Sequence, residues 1–334
     1  MIMIKRWKTI GYCLLGLLVA GCGQNDTGTT QSILSKPPYA GITDSIKAAP
    51  QNAELYLTRG IRLSQNNQHE LATGDYKKAW ELAPDEGTAL QYISNLMLVD
   101  EPATAVELLK SCIEKYPANP SFRRRLSEVY AQVGESEQAL EQYNQLLAKD
   151  SLDFETWYEK GSLLVQLKDT AAAIAAMERS YSLQPANYTG LPLANLYANT
   201  KNPKALELCD ALIIRDTSYF NDATFLKGVY YSDTKQYAAA LEQFEECIKR
   251  NWKFTDAYIE KGIVLYDQKQ YDSALEVFSM AATVSNTSPD AYYWMARCYE
   301  ATKRNDQALQ NYQRALSLDK QFTEAKEAIK RLKG

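Results

Sequence analysis

Small and apolar residues recur along this chain with two periods. Over short stretches they return every three or four positions, as on one face of an amphipathic helix. Over longer distances the whole pattern returns every 33 or 34 residues. The stretch "KGIVLYDQKQYDSALEVF", Lys261 to Phe278, follows "KGVYYSDTKQYAAALEQF", Lys227 to Phe244, and ten of the eighteen aligned positions are identical. With Gly262 numbered as position 8 of its repeat, that position holds Gly60, Ser94, Ser127, Gly161, Ala194, Gly228, Gly262 and Ala296, all small. Position 20 holds Ala72, Ala105, Ala139, Ala173, Ala205, Ala240, Ala274 and Ala308, provided the second and fifth copies lose one residue between their helices. Position 24 is mostly large: Tyr76, Leu109, Tyr143, Met177, Cys209, Phe244, Phe278 and Tyr312. The pattern predicts two antiparallel helices per copy. They cross closely where positions 8 and 20 carry no bulk, with aromatics filling the space beside the crossing. No such helix is stable alone, so neighbouring copies must stack to bury a continuous core.

The spacing and residue types are similar to the tetratricopeptide repeat, in eight copies over about residues 53–322. The aromatics Tyr56, Trp157, Tyr258 and Tyr292 at position 4, and Tyr130, Tyr197, Tyr231 and Tyr299 at position 11, carry the same resemblance. It implies an all-α fold: a right-handed α-solenoid of about eight helix pairs, with an N-terminal half-repeat and a C-terminal capping helix. The expected organisation is a signal segment at 1–21, a tether at 22–38 and a solenoid at 39–334. Its repeats fall at about 53–86, 87–119, 120–153, 154–186, 187–219, 221–254, 255–288 and 289–322, with the cap at 323–334. "ITDSIKAAP", Ile42 to Pro50, reads as a lone second helix covering the first repeat. Pro102 and Pro203 open the shortened second helices. Pro192 falls inside the first helix of the fifth repeat, which is therefore expected to start near Leu191.

The N-terminus has the form of an address. "MIMIKRWK" is basic, and "TIGYCLLGLLVAG" is apolar but too short to span a bilayer with margin. It ends in "VAGC", which resembles the bacterial lipobox, and this makes Cys22 the expected acylated first residue. The segment "GQNDTGTTQSILSKPP" after it is polar and suits a flexible tether. The expected location is the cell envelope, lipid-anchored, in the outer membrane of a Gram-negative bacterium. Membrane contact is expected only through that N-terminal lipid.

Composition narrows the function. The 37 basic residues are outnumbered by 41 acidic ones, and three of the basic residues lie in the signal segment. A nucleic-acid binder needs the opposite balance. Cys112, Cys209, Cys247 and Cys298 are widely spaced and fall at core positions of the repeat. The lone His69 stands in a turn, and no phosphate loop, nucleophile elbow or zinc motif occurs. The reading is a chain with no catalytic residues, no metal site and no cofactor.

The resemblance places partners in a concave groove lined by first helices at positions 2, 5, 6, 9, 12 and 13. The candidate contacts there are Asn95, Arg124, Arg125, Tyr158, Tyr188, Asn195, Phe225, Tyr266, Tyr293, Trp294 and Arg297. Arg124 and Arg125 could grip a carboxylate or phosphate, or sit solvated with Arg124 paired to Glu128 one turn on. Tyr293 and Trp294 are expected either to face the groove or to pack against the C-terminal cap. The basic clamp that chaperone-binding members use is not reproduced, because no Lys stands at position 5 beside Asn95 or Asn195. The expected role is a scaffold or adaptor that binds a protein or peptide segment in the envelope. The alternative is a glycan-binding surface lipoprotein, which the nearly uniform repeat lengths disfavour.

Overall fold

Five of the eight first helices open on a residue whose side chain holds a free backbone N–H group. Asn52, Asp85, Asn119, Asp153 and Ser288 accept from N–H groups of the first turn in this way, each worth about 1 kcal/mol. Each first helix then ends in a left-handed turn. Asn67, Asp100, Lys168, Lys201, Lys235, Lys269 and Lys303 take φ near +60°, and Gly134 takes +82°. The next N–H bonds back to a carbonyl of the last helical turn, as Gln236 does to Tyr231 at 2.8 Å and Gln270 to Leu265 at 2.9 Å. That bond offsets the cost of a left-handed side-chain-bearing residue, about 1–2 kcal/mol.

The computed structural model describes residues 32–333. They divide after Tyr116 into two compact units. The N-terminal unit contains α1 (Ala40–Ala48), α2 (Ala53–Gln65), α3 (His69–Leu82), α4 (Glu86–Leu98) and α5 (Pro102–Lys115). The C-terminal unit continues with α6 (Pro120–Gln132), α7 (Ser136–Lys149), α8 (Phe154–Gln166), α9 (Thr170–Leu183), α10 (Asn187–Asn199) and α11 (Lys204–Arg215). It ends with α12 (Phe220–Asp233), α13 (Tyr237–Arg250), α14 (Thr255–Asp267), α15 (Tyr271–Val284), α16 (Pro289–Ala301), α17 (Asn305–Leu318) and α18 (Thr323–Lys333). Within each unit, helices adjacent in sequence pack in consecutive pairs, and no strand occurs among the described residues.

The core follows from the small positions. All eight position-20 alanines are fully buried. At position 8, a Cβ on Gly228 would collide with the Phe244 ring, and one on Gly262 with the Phe278 ring. Those glycines are thus needed for the close crossing. In the N-terminal unit, Arg59 donates to both carboxylate oxygens of Asp75 at 2.7 Å and to Thr43 Oγ1 at 3.1 Å, tying α1, α2 and α3 together. The lone helix α1 packs on α2. At the other end α18 buries Ala325 and Ala328 and presents charge outward.

One sequence expectation is corrected. Helix α10 starts at Asn187, not near Leu191, and Pro192 lies inside it. Two anchors hold the early start. The Asn187 amide donates to the Leu212 carbonyl at 3.2 Å, and the Thr189 hydroxyl accepts from the Ala186 N–H at 3.3 Å. Gly190 lets the backbone approach closely, since a Cβ there would stand 2.7 Å from Leu212 Cδ2 and 2.8 Å from Tyr181.

The four cysteines among the described residues, Cys112, Cys209, Cys247 and Cys298, are buried and unpaired. Burial pushes the Cys112 thiol up to about 11 and those of Cys209, Cys247 and Cys298 up to about 12. They behave as small apolar residues.

Candidate partner-binding face

In the C-terminal unit the first helices of successive pairs meet one another directly, α10 with α12, α12 with α14 and α14 with α16. The second helices are not packed together to this extent, so the first helices line the inner side of the stack. Most candidate residues stand on those helices, and their surroundings differ sharply.

The arginine run of α6 splits three ways. Arg123 turns to α7, where Gln142 and Gln145 accept its donors. Arg124 crosses to α8. Its Nη2 donates to Asp153 at 2.8 Å, and its Nη1 to Glu155 at 2.7 Å and Glu159 at 3.3 Å. Arg125, not Arg124, pairs with Glu128, at 2.6 Å. The three-residue spacing brings Arg125 over Glu128 on the helix surface, while Arg124 reaches the next repeat. Asp153 serves twice, since it also caps α8 through Thr156. Burial works against the Asp153 charge, but the Thr156 bonds and Arg124 outweigh it and hold the carboxyl below its ordinary range. Glu159 differs. Burial, then the repulsion of Glu128, Asp153 and Glu155, outweigh Arg124 and push it up to about 7. Its Oε2 is buried without a hydrogen-bond partner.

Beside this cluster Tyr158 of α8 and Tyr188 of α10 meet edge to face, with ring centroids 6.2 Å apart. Phe154 backs Tyr188 at 6.3 Å. Tyr188 nevertheless remains 49% exposed. Farther along, partly exposed Asn195 accepts from Asn199 on its own helix. Phe225 leans on Phe244 and Phe254.

At α14 and α16 the aromatics close around one cation. Arg297 donates to the Tyr293 hydroxyl at 3.2 Å and the Tyr266 hydroxyl at 3.3 Å. Its guanidinium lies 5.4 Å from the Tyr266 ring centroid, 6.0 Å from Tyr293 and 5.5 Å from Trp294. Trp294 stacks on Phe278, with centroids 5.8 Å apart and planes 13° apart. Tyr293 stacks on Phe322, just before the cap, at 4.9 Å. Tyr293 and Trp294 are thereby buried, at 6% and 5% exposure, Tyr293 beside the cap and Trp294 against Phe278 of the preceding repeat.

Asn95 is also closed off. It belongs to the N-terminal unit, where its amide donates to the His69 carbonyl at 2.9 Å and Thr73 Oγ1 at 2.8 Å, tying α4 to α3. Buried there, it does not present a polar group to an open face. The sequence reading missed Asp153, Glu155 and Glu159. Their signal was present: Glu155 and Glu159 occupy positions 2 and 6 of the repeat that follows Arg124.

Family models described as tetratricopeptide repeat match residues 124–188 and 225–289, and again 265–332. The chain is a tetratricopeptide-repeat protein. The fold of a tetratricopeptide repeat protein from Parabacteroides merdae is similar, with a TM-score of 0.61 and 16% identity over 74% of this chain and 98% of that one. PilW, described as a widely conserved type IV pilus biogenesis factor, aligns with a TM-score of 0.52 and 14% identity over 64% of this chain and 98% of its own. No curated protein matches the sequence. These tetratricopeptide repeats supply a scaffold of the kind that binds proteins or peptides.

Proposed function

We propose that this tetratricopeptide-repeat protein is a lipid-anchored scaffold or adaptor of the bacterial cell envelope. It holds a protein or peptide segment along the inner face of its C-terminal unit and has no catalysis of its own. The observation that carries the binding reading is Tyr188. It is a large aromatic left half-exposed on a first helix, braced by Tyr158 and Phe154. Rigid, braced Tyr residues are typical binding hot spots, at about 2 kcal/mol or more when truncated. The anchor rests on "VAGC" and Cys22, which lie outside the described residues. With two or more acyl chains such an anchor would be stable, and the outer membrane is the proposed site.

The test is a pull-down from envelope extract with quantified partner recovery. The Tyr158→Ala, Tyr188→Ala double variant is expected to keep its helical circular dichroism and lose the partner. Lys249→Ala, on the second helix α13, is expected to bind normally. Recovery lost only in the Lys249 variant would move the site to the outer side. In the same extracts Cys22→Ser should shift the protein to the soluble fraction, and persistent membrane attachment would remove the anchor from the proposal.

A further inference from the structure

Of the three candidate arginines on the inner face, Arg297 alone lacks a carboxylate. Arg124 has three acidic neighbours and Arg125 has one. Arg297 has two tyrosine hydroxyls and three ring faces, and among the described residues no carboxylate forms an ion pair with it. A guanidinium cannot shed its proton to escape a half-buried site. Ring quadrupoles offset part of the lost hydration, and tyrosine hydroxyls are neutral acceptors. The fork has more N–H donors than these two hydroxyls use. Tyr293, Trp294 and Tyr266 also fix the guanidinium in place, since each is locked by its own ring contacts. The result is an oriented, partly accessible cation that forms no ion pair among the described residues.

We propose that Arg297 is the anion-recognition point of the face and receives a carboxylate carried by the partner segment. This rests on the reading that the inner face binds such a segment, and it names the chemistry the segment must bring at α16. A planar carboxylate matches the guanidinium fork with two parallel hydrogen bonds. A single guanidinium balances a single negative charge, which suits a carboxylate better than a phosphate dianion. The rings that pin Arg297 spare the entropy that a loose arginine would lose on binding.

The test uses the full chain and a displayed library of random peptides. Recovered peptides should be enriched in Asp, Glu or a free C-terminal carboxylate. Converting the acid to its amide should weaken binding by about tenfold or more, the effect of one lost charge-assisted contact. Side-chain conversion (Asp to Asn, Glu to Gln) and C-terminal amidation are separate arms, which tell the two carboxylate sources apart. Arg297→Gln should bind acid and amide peptides equally. Arg297→Lys, which keeps the charge without the fork, should retain part of the preference, and it serves if the Gln variant does not fold. If wild-type protein binds acid and amide alike, or Arg297→Gln still distinguishes them, the proposal falls while the groove reading stands. If no peptide is recovered whatever its charge, the groove reading falls and this proposal falls with it.

Discussion

Arg124 and Arg297 are the same residue type on the same face of one unit, and they sit in opposite electrostatic settings. Around Arg124, three carboxylates compete for one guanidinium, so that acid is in excess. Around Arg297, rings and hydroxyls stand where the carboxylates would be. The difference comes from neighbouring repeats. Arg124 faces a following helix that opens Asp-Phe-Glu and adds Glu159 one turn later. Arg297 lies between Tyr266 of the preceding repeat and the Tyr293 and Trp294 of its own. An arginine's position on the face therefore does not decide whether it is free to bind. The side chains around it, on its own helix and one repeat away, decide it.

The most severe way to break the contrast is Trp294→Ala. Trp294 is both a wall of the Arg297 site and a core ring stacked on Phe278. Deleting a buried Trp costs about 3–5 kcal/mol. In a stack of repeats, stability is close to a sum of local and nearest-neighbour terms. The loss should therefore appear as faster hydrogen exchange in α14 to α18, with α6 to α9 little changed. Uniform acceleration over the whole unit would mean that the unit unfolds as one block.

Arg124→Ala comes next. It strands Asp153, Glu155 and Glu159 together, and removing one partner of a fully buried pair costs 3–5 kcal/mol. Here Arg124 and Asp153 each keep 20% of their side-chain exposure, so about 2–3 kcal/mol is expected. Arg297→Gln strands no carboxylate and should cost less. Denaturant unfolding of the two variants side by side measures the contrast. Equal losses would mean that Arg124 contributes packing rather than charge balance.

The same contrast marks where sequence reading succeeds. The position-20 alanines and the glycines at Gly228 and Gly262 were legible because a helix crossing admits no larger side chain, whatever the neighbours are. The face was less legible because its state depends on register between repeats. Arg124 looked available until α8 brought up its acids. Asn95 looked exposed until α3 offered the His69 carbonyl. Trp294 occupied a groove position yet turned to Phe278. The late start expected for α10 failed for a similar reason. Pro192 argues against a helix locally, but Asn187 and Thr189 tie the first turn to the Leu212 carbonyl and the Ala186 N–H.

The smallest expected effect sharpens the acidic side of the comparison. Glu159 ordinarily titrates near 4.5 but is pushed up to about 7, by burial first and then by Glu128, Asp153 and Glu155, against the pull of Arg124. The folded chain therefore holds this proton more tightly than the unfolded chain does. The stability linked to it is complete below pH 4.5 and is lost as pH rises through about 7. Glu159→Gln keeps the shape and an oxygen for Arg124 but cannot ionise. Its amide nitrogen brings a pH-independent cost of its own, so the informative quantity is the slope. Relative to wild type, the variant should gain about 1–2 kcal/mol as pH rises across that window, a figure reduced for partial exposure. Unfolding free energies of both chains, measured at intervals through the window, decide it. Parallel curves would show that Glu159 ionises like an ordinary surface carboxylate, and the acid excess around Arg124 would then be fully charged rather than relieved by a bound proton.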